Sequence, residues 1–295
     1  MNILVTGGTG FIGSSLCVHL SSLGHKLTVV TRGSTLGYDA IKAINDLQAL
    51  EADESFDVVI NLAGQPIADK RWSKLQKEKI LNSRIDTTKQ LIQFFNYTKN
   101  KPAVFISGSA IGYYGVGINN STINENAQGD DSFSSVLCAQ WEKCALAAQL
   151  LGIRTCLLRT GIVLGKNGGA LQKMLPPFKL GLGGKIGSGS QWMPWIHLDD
   201  MIGIIELCIH NKNISGAINC TAPNPVTNLT FSKTLAASIH RPAIFPMPAF
   251  IITLLMGKMG EELLLNGKRI IPEKALYFGY KFNYEELEKA LESIV

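Results

Sequence analysis

The chain has 295 residues, of which 46% are hydrophobic and 17% are charged, and its formal net charge is +5. This length and composition predict one large α/β domain, or such a domain with a smaller lobe, and they exclude wholesale disorder. There is no dense Lys/Arg block, so we expect no nucleic-acid partner. The apolar runs are too short for a membrane span, and the best candidate, Ala249 to Met256, is expected to be a buried helix.

The six cysteines form no Cys-x-x-Cys pair. Their spacing predicts neither a metal site nor a disulfide framework, and it fits a reduced cytoplasmic setting. The apolar start runs directly into glycines, which indicates a strand rather than a signal peptide. We therefore expect a cytoplasmic protein without a membrane partner, either a monomer or a homodimer.

The first thirteen residues have the pattern of a strand, a glycine turn and a helix. Asn2 to Thr6 is a β-branched apolar run, and helical apolar spacing follows the glycines that end at Gly13. In this context, glycines allow a tight turn and let the backbone approach a pyrophosphate at the helix N-terminus. The predicted cofactor contacts in this stretch are Gly7, Thr9, Gly10, Phe11 and Ile12.

The end of the second predicted strand, Lys26 to Thr31, bears on the choice of cofactor. An acid at this position would accept hydrogen bonds from the adenosine ribose, whereas an Arg would pair with a 2′-phosphate. The sequence has Thr31 and Arg32 and no acid, which favours NADP over NAD. The alternative is that Arg32 is a solvated side chain at a strand end.

Strands and helices alternate up to Gly161, which predicts a doubly wound parallel sheet of the Rossmann type. Further strands are expected at Lys42 to Leu47, Asp57 to Gly64, Ala103 to Ser107 and Arg154 to Arg159, and helices at Lys74 to Phe95 and Ser135 to Leu151. Ligands of such sheets bind beyond the carboxyl ends of the strands. The predicted cofactor contacts at these ends are Asp46, Leu62, Ala63, Gly64 and Ser107.

After Gly161 the sequence becomes rich in glycine loops and prolines. We expect residues 1–163 to form the NADP-binding domain, with 192–221 returning to it. Residues 164–191 and 222–295 are expected to form a smaller substrate lobe. It would contain helices from Asn228 to Ile239 and from Tyr284 to Val295.

Several motifs together resemble the extended short-chain dehydrogenase/reductase superfamily. They are Thr6-Gly-Gly-Thr-Gly-Phe-Ile-Gly13, Asn61-Leu-Ala-Gly64, Ser107-Gly-Ser-Ala-Ile-Gly-Tyr-Tyr-Gly115 and Trp195-Ile-His-Leu-Asp-Asp200. More specific stretches resemble its atypical, epimerase/dehydratase-like branch of the YfcH and SDR39U1 type: Gly64-Gln-Pro-Ile-Ala-Asp-Lys-Arg-Trp72, Cys138-Ala-Gln-Trp-Glu142, Leu158-Arg-Thr-Gly-Ile-Val-Leu-Gly165, Gly168-Gly-Ala-Leu171 and Gly187-Ser-Gly-Ser-Gln191. The resemblance covers nearly the whole chain and implies an NADP-binding fold with epimerase-like or oxidoreductase chemistry.

The sequence departs from this superfamily at the catalytic helix. The resemblance implies a Tyr-x-x-x-Lys pair there, in which the Tyr exchanges a proton with the substrate and the Lys lowers the pKa of the Tyr. Alignment on Glu142 instead puts Ser134 at the Tyr position and Cys138 at the Lys position. Ser109 matches the catalytic serine of the superfamily.

These matches give a set of candidate site residues. The catalytic candidates are Ser109, Cys138 and Tyr113, and Cys138 is also expected to lie beside the cofactor. A thiol with a pKa lowered by nearby positive charge would move protons, although Cys138 is equally well explained as a small buried hydrophobe. The substrate-binding candidates are Arg84, Ser109, Tyr114, Gln191 and Trp195. For His197 we expect a structural hydrogen-bonding role.

Two functions remain open on the sequence alone. The first is an NADP-dependent epimerase or oxidoreductase that acts on a sugar nucleotide or another small carbonyl or hydroxyl substrate. The second is a non-catalytic NADP(H)-binding protein with a redox-sensing or regulatory role. Loss of Tyr-x-x-x-Lys favours the second, and the polar and aromatic loops around the crevice favour the first.

Overall fold

The computed structural model describes residues 1–31, 33, 41–118 and 120–295. Its strands are, in chain order, β1 (Asn2–Thr6), β2 (Lys26–Val30), β3 (Ile41–Ile44), β4 (Val58–Asn61), β5 (Val104–Ala110), β6 (Thr122–Ile123), β7 (Arg154–Thr160), β8 (Ile162–Leu164), β9 (Trp192–Met193), β10 (Trp195–His197), β11 (Gly216–Cys220), β12 (Val226–Thr227) and β13 (Arg269–Ile270).

The helices are α1 (Phe11–Ser22), α2 (Lys74–Tyr97), α3 (Phe133–Leu146), α4 (Gly169–Lys179), α5 (Leu198–His210), α6 (Asn228–Ser238), α7 (Ala249–Met256), α8 (Lys258–Gly260), α9 (Glu273–Tyr277) and α10 (Leu287–Ile294). A π-helical turn, Glu261–Leu265, follows α8 directly. Within the described residues, no helix is both long enough and apolar enough to cross a membrane.

The main sheet has seven strands within the described chain, in the order β11-β7-β5-β4-β1-β2-β3, and every neighbouring pair is parallel. This confirms the predicted doubly wound fold. The strand order reverses between β1 and β4, so the carboxyl ends of these two strands flank the crevice in which such sheets bind ligands.

Side chains that alternate along the strands build a core on each face of the sheet. In β1, Ile3 and Val5 belong to the cluster that contains α1 and α5, whereas Leu4 belongs to the cluster that contains α2 and α3. Each of these side chains is fully buried. Because both faces are covered, β1 has the continuous apolar run from which a buried parallel strand was predicted.

The region after Gly161 contributes to both parts of the molecule. Strand β11 pairs with β7 and becomes the edge of the main sheet. Three two-stranded pairs, β8 with β10, β9 with β12, and β6 with β13, lie outside that sheet. A separate core joins α4, α6 and α10 around Phe231 and Trp195.

Helix α7 departs from its prediction. It spans Ala249–Met256 as expected from its apolar run, but only Ile252 in it is buried. The side chains of Phe250, Leu254 and Leu255 are 69%, 71% and 65% exposed. The expectation of a buried helix is therefore wrong, because apolar composition alone does not say whether a covering surface is present.

Candidate functional site

The glycine turn after β1 is held tightly against the end of β4. Gly7 has a φ of 74°, in the left-handed region that favours glycine. A Cβ on Gly7 would lie 2.6 Å from the carbonyl carbon of Leu62 and 2.7 Å from the amide of Ala63. Gly7, Leu62 and Ala63, all predicted from sequence as cofactor contacts, are therefore brought together at the point where the strand order reverses.

The same turn presents the N-terminus of α1 without a competing side chain. Gly10 is the N-cap, it makes no side-chain cap, and the first turn contains no acidic residue. Its amide donates to the carbonyl of Gly7 at 3.0 Å, while Thr9 and Gly10 are exposed and Phe11 and Ile12 are half-buried. The uncapped amides and the positive end of the helix dipole suit a phosphate group. These residues thus fit the pyrophosphate of a dinucleotide.

The carboxyl ends of β2 and β3 lie next along the sheet. The Thr31 hydroxyl accepts a hydrogen bond from the amide of Gly33 at 3.2 Å. Asp46 is exposed, and its carboxylate accepts from the amide of Gln48 at 3.0 Å, capping a short 3₁₀ turn. The predicted preference for NADP over NAD depends on Arg32. This residue lies outside the described residues.

A buried polar chain that the sequence analysis did not identify fixes the end of β4. The Thr6 hydroxyl donates to Asn61 Oδ1 at 2.6 Å, and Asn61 Nδ2 donates to the Thr88 hydroxyl at 2.9 Å. Asn61 Oδ1 also accepts from the amide of Ala63 at 3.3 Å. One side chain therefore ties β1, β4 and α2 together and turns the backbone that faces the cofactor site. Its presence in a family motif was the signal available in the sequence.

Ser109 lies at the end of β5 and is bonded to a buried ion pair. Its hydroxyl donates to Glu142 Oε1 at 2.6 Å. Both carboxylate oxygens of Glu142 accept from the guanidinium of Arg159, each at 2.9 Å. Ser109, Glu142 and Arg159 are each 5% exposed. Bidentate charge-assisted pairs of this kind have a well-defined geometry. Because the Ser109 hydroxyl donates to a carboxylate that Arg159 holds in place, its orientation is fixed.

Tyr113 and Tyr114 have different environments. Tyr114 is fully buried; its hydroxyl donates to Asn219 Oδ1 at 2.6 Å and accepts from Arg159 at 3.0 Å. Burial raises the pKa of Tyr114 to about 12. Tyr113 is half-buried, and its ring lies on the guanidinium of Arg159, with the ring centre 3.5 Å away. Tyr114 therefore has a structural role, and the expectation that it contacts substrate is wrong because its side chain is fully buried.

Cys138 is buried on α3, with 3% of its surface exposed. Burial, reinforced by the negative charge of Glu142, raises the pKa of this thiol from 9.0 to about 11. The expectation that positive charge would lower this pKa is wrong, because the effect of Arg84 is smaller than that of burial. The thiol is therefore protonated at neutral pH and is a poor general base.

Ser134, at the position of the missing Tyr, is tied to the C-terminal region. Its hydroxyl donates to Glu262 Oε2 at 2.7 Å, and its amide donates to the same oxygen at 3.0 Å. The amide of Phe133 donates to the other carboxylate oxygen at 3.3 Å. The Glu262 carboxylate therefore caps the first turn of α3. No local sequence pattern indicates this contact, since the partners are 128 residues apart.

Three residues predicted to bind substrate have structural partners instead. Arg84 donates to the carbonyls of Gln65 and Ile80 at 3.1 and 3.0 Å, and burial lowers its pKa. Gln191 is 2% exposed and donates to two backbone carbonyls, while Trp195 is fully buried and donates to a third. Gln191 and Trp195 therefore belong to the core, and Arg84 supports the loop at Gly64.

His197 has the structural role expected of it. Its Nδ1 accepts from the amide of Asp199 at 3.1 Å and caps α5, and its Nε2 lies 3.3 Å from the Ser293 hydroxyl. Ser107, a predicted cofactor contact, is fully buried in the middle of β5, because this strand continues to Ala110 and does not end at Ser107 as predicted. No cluster of three or more His, Cys, Asp or Glu side chains suitable for a metal ion occurs in the described part of the chain.

Comparison with known proteins agrees with this geometry. A family model described as the NAD dependent epimerase/dehydratase family matches residues 3–220. A second model, a domain of unknown function called DUF1731, matches residues 247–294.

Similar proteins match over the full length of the chain. Epimerase family protein YfhF of Bacillus subtilis is 37% identical, covering 100% of this chain and 98% of that protein. Human epimerase family protein SDR39U1 is 36% identical, with 100% of both chains covered.

Two solved structures are also similar. The crystal structure of human SDR39U1 isoform 2 with NADPH has a TM-score of 0.91 at 34% identity, covering 100% of this chain and 99% of that one. A nucleoside-diphosphate sugar epimerase from Corynebacterium glutamicum has a TM-score of 0.78 at 29% identity, covering 99% of this chain and 57% of that one. The chain therefore belongs to the NAD-dependent epimerase/dehydratase family of extended short-chain dehydrogenase/reductases, in the branch of SDR39U1 and YfhF.

Proposed function

We propose that the protein binds NADP(H) at the carboxyl edge of its main sheet and acts on a small carbonyl or hydroxyl substrate, with sugar nucleotides as the first class to test. The glycine turn carries the proposal, because it combines close backbone approach with uncapped amides at α1. Two relatives support it: human SDR39U1 was solved with NADPH, and the Corynebacterium protein is named a nucleoside-diphosphate sugar epimerase.

The residues of this chain would hold the cofactor by its phosphates and adenosine. Backbone amides from Gly10 to Ile12 suit the pyrophosphate, and Leu62 to Gly64 form the neighbouring wall. In the sequence, Thr31 and Arg32 follow β2 directly, which is the position from which a 2′-phosphate would be recognised. The nicotinamide supplies the hydride acceptor or donor when the cofactor is bound.

Ser109 would orient the reacting hydroxyl of the substrate by accepting a hydrogen bond from it. A serine hydroxyl has one hydrogen to donate, and that of Ser109 is donated to Glu142. The remaining lone pairs of its oxygen can accept from a substrate hydroxyl. This arrangement favours the alcohol form of the substrate over the ketone form.

We propose that Tyr113 exchanges the proton with the substrate oxygen: it accepts the proton as an alcohol is oxidised and returns it as a ketone is reduced. Cys138 is protonated and buried, and the Ser134 hydroxyl is bonded to Glu262. Tyr113 is half-buried beside Ser109 in sequence, with its ring on the cationic Arg159.

Hydride transfer is tested with the purified full chain, NADPH or NADP⁺, and a panel of sugar nucleotides, ketones and secondary alcohols. Turnover is followed by nicotinamide absorbance. Epimerisation without net absorbance change is followed by chromatography of the sugar products. We expect turnover of at least one substrate, and Tyr113→Phe should lower kcat by about 10²-fold or more.

Tyr277→Phe is the control, because Tyr277 is 82% exposed on α9. An unchanged kcat in Tyr113→Phe would reject Tyr113 as the donor.

The second function, a non-catalytic NADP(H)-binding protein, is favoured by one specific observation. Both positions of the Tyr-x-x-x-Lys pair hold residues with structural environments, Ser134 bonded to Glu262 and Cys138 buried on α3. Tight NADPH binding without turnover across the whole panel would select this function.

We also propose that the protein works in the cytoplasm. All six cysteines lie in the described part of the chain and none forms a disulfide. Five of them are buried, as thiols kept reduced for packing would be. Imaging of the tagged full chain tests this proposal, and a signal confined to an oxidising compartment would reject it.

A further inference from the structure

A cleft beside the glycine turn has a wall that no part of the site described so far uses. Its volume is about 530 Å³. One wall is the start of α1, and the opposite wall is the loop between β8 and α4. The lining residues are Thr9, Gly10, Phe11, Ser14 and Ser15 on the first wall, and Lys166, Asn167, Gly168, Gly169 and Gln172 on the second.

The two walls are packed directly against each other through the ring of Phe11. A Cβ on Gly168 would lie 2.3 Å from this ring, and one on Gly165 would lie 3.0 Å from it. Phe11 is the first residue of α1, in the turn that suits the pyrophosphate. The loop is therefore fixed next to the phosphate-binding amides by contacts that only glycine permits.

The charge of the cleft is one-sided. Among the described residues that line it, Lys166 is the only charged one, and none of them is a carboxylate. Lys166 is exposed, and within the described residues no carboxylate pairs with it. By contrast, Lys173, one turn into α4, is paired with Asp69. An unpaired cation next to an anion site attracts the anion, whereas a solvated lysine far from the site would not contribute to binding.

We propose that Lys166 is a second phosphate-binding arm, which contacts the pyrophosphate of NADP(H) from the side opposite the glycine turn. This inference rests on the proposed function and adds a residue to it. Lys166 would recognise the charge shared by NADP(H) and NAD(H), whereas Arg32 would recognise the 2′-phosphate that only NADP(H) carries. The two residues would thus separate affinity for dinucleotides from selectivity between them.

The test measures dissociation constants by nicotinamide fluorescence and calorimetry, not by turnover. The ligands are NADPH, NADH and adenosine 2′-monophosphate, which lacks the pyrophosphate. Lys166→Ala should weaken NADPH and NADH by the same factor, about fivefold to tenfold, and should leave adenosine 2′-monophosphate unchanged. Lys166→Arg should restore most of the loss, and the loss should shrink as the salt concentration rises.

Lys179→Ala is the matched control, because it removes the same charge from an exposed position in the last turn of α4. Equal NADPH affinity in Lys166→Ala and in this control would overturn the inference. An equal loss for adenosine 2′-monophosphate would overturn it too, since Lys166 would then act through the 2′-phosphate or the general field. If the wild-type protein does not bind NADPH, the proposed function fails and the inference fails with it.

Discussion

At Cys138, burial outweighs the nearby charges in setting the protonation of the thiol. Arg84 acts to lower its pKa, but burial and Glu142 raise the pKa to about 11. Burial alone also raises the pKa of Cys17, on α1, to about 11. A linear sequence shows which charges are near along the chain, but it does not show how much water has been removed. Ser109 and Cys138 could therefore be singled out from motifs, whereas their chemistry could not.

The pKa of Cys138 makes stability depend on alkaline pH. Because the folded-state pKa lies above the ordinary value of 9.0, the folded protein retains this proton longer than the unfolded chain. The associated stability is fully present below about pH 9 and is lost as pH rises towards about 11. We expect the free energy of unfolding to fall by about 2 kcal/mol more in the wild type than in Cys138→Ser over this range.

Urea denaturation of both proteins at pH 7, 9 and 10.5 checks this prediction, with the variant also reporting other groups that titrate. The variant should be less stable at pH 7 by about 1 kcal/mol, as a polar hydroxyl replaces a buried thiol. Parallel losses in the two proteins would show that Cys138 is ordinary in its titration.

Tyr113 and Tyr114 should separate activity from stability. The Tyr114 hydroxyl bonds both Asn219 and Arg159, so Tyr114→Phe removes the Tyr114 donor from Asn219 Oδ1 and one acceptor of Arg159, which keeps its bond to the Glu125 carbonyl. We expect Tyr114→Phe to lower the free energy of unfolding by about 1–3 kcal/mol. Tyr113→Phe retains the ring on Arg159 and removes only a hydroxyl from a half-buried side chain, so its stability should stay within about 0.5 kcal/mol of wild type. Chemical denaturation compares the pair, and the reverse order of stability would contradict these roles.

On the scale of single elements, local signals predicted the strands and helices well and their ends less well. The third strand was expected to reach Leu47, but it ends at Ile44 because Asp46 caps a 3₁₀ turn. The fourth was expected to reach Gly64 and ends at Asn61, whose side chain bonds the amide of Ala63. Helix α3 begins at Phe133, two residues earlier than expected, since Ser132 is its N-cap. Side-chain caps decide these ends, and many residues in a sequence have the same capping ability.

The glycines of the turn should differ in what they protect. A Cβ on Gly13 would lie 2.1 Å from the Gly7 carbonyl oxygen and 2.8 Å from Gly8 Cα, so Gly13→Ala must displace backbone. We expect it to destabilise the protein by at least about 2 kcal/mol. A Cβ on Gly10 meets only the Gly7 oxygen, at 3.2 Å, so Gly10→Ala should fold and lose NADPH affinity instead.

Thermal unfolding and NADPH titration of both glycine variants separate the two effects. Ser15→Ala, on the same helix, is the control for stability. A stable Gly13→Ala would show that the turn opens easily.

The ion pair between α3 and β7 should be costly to break from one side. Removing the Glu142 carboxylate would leave Arg159 charged and 5% exposed, and would also leave Ser109 without its acceptor. We expect Glu142→Leu to cost about 3–5 kcal/mol, and Glu142→Leu with Arg159→Met to cost less than that single change. Urea denaturation of the two single variants and the double variant completes the cycle. A double variant less stable than either single variant would show that the charges stabilise the fold on balance.

At the scale of the whole molecule, long-range contacts assemble the site. These contacts could not be predicted from a single sequence. The alternating strands predicted the doubly wound sheet, and the glycine motif predicted which edge faces a ligand. The hydrogen-bonded partners that support the site are far apart in the sequence. Tyr114 and Asn219 are separated by 105 residues, and Ser134 and Glu262 by 128. No local pattern encodes such pairs, which is why Gln191 and Trp195 were placed at the substrate although both are in the core.

The segment that follows α8 joins the C-terminal region to the sheet domain at several points. Glu262 caps α3, Asn266 accepts from the amide of Gly117, and Lys268 donates to the carbonyl of Tyr114. Gln191 donates to the carbonyl of Leu264. Ser134 is one turn before Cys138 on α3, and Tyr114 is next to Tyr113 in the chain, so this segment is attached to neighbours of two residues that were catalytic candidates.

Glu262→Ala should therefore loosen this connection without unfolding the sheet. It removes the acceptor of the Phe133 and Ser134 amides, and an N-cap contact of this kind is worth about 1–2 kcal/mol. Hydrogen exchange should become faster in the first turn of α3 and in residues 261–268, while β11 stays as protected as before. Glu261→Ala is the matched control, because the Glu261 carboxylate pairs with Lys258 three residues away and the variant keeps the backbone carbonyl to which Asn266 donates. Faster exchange in both variants would show that the segment responds to any loss of charge, and unchanged exchange in Glu262→Ala would show that the other contacts of the segment suffice to hold it against α3.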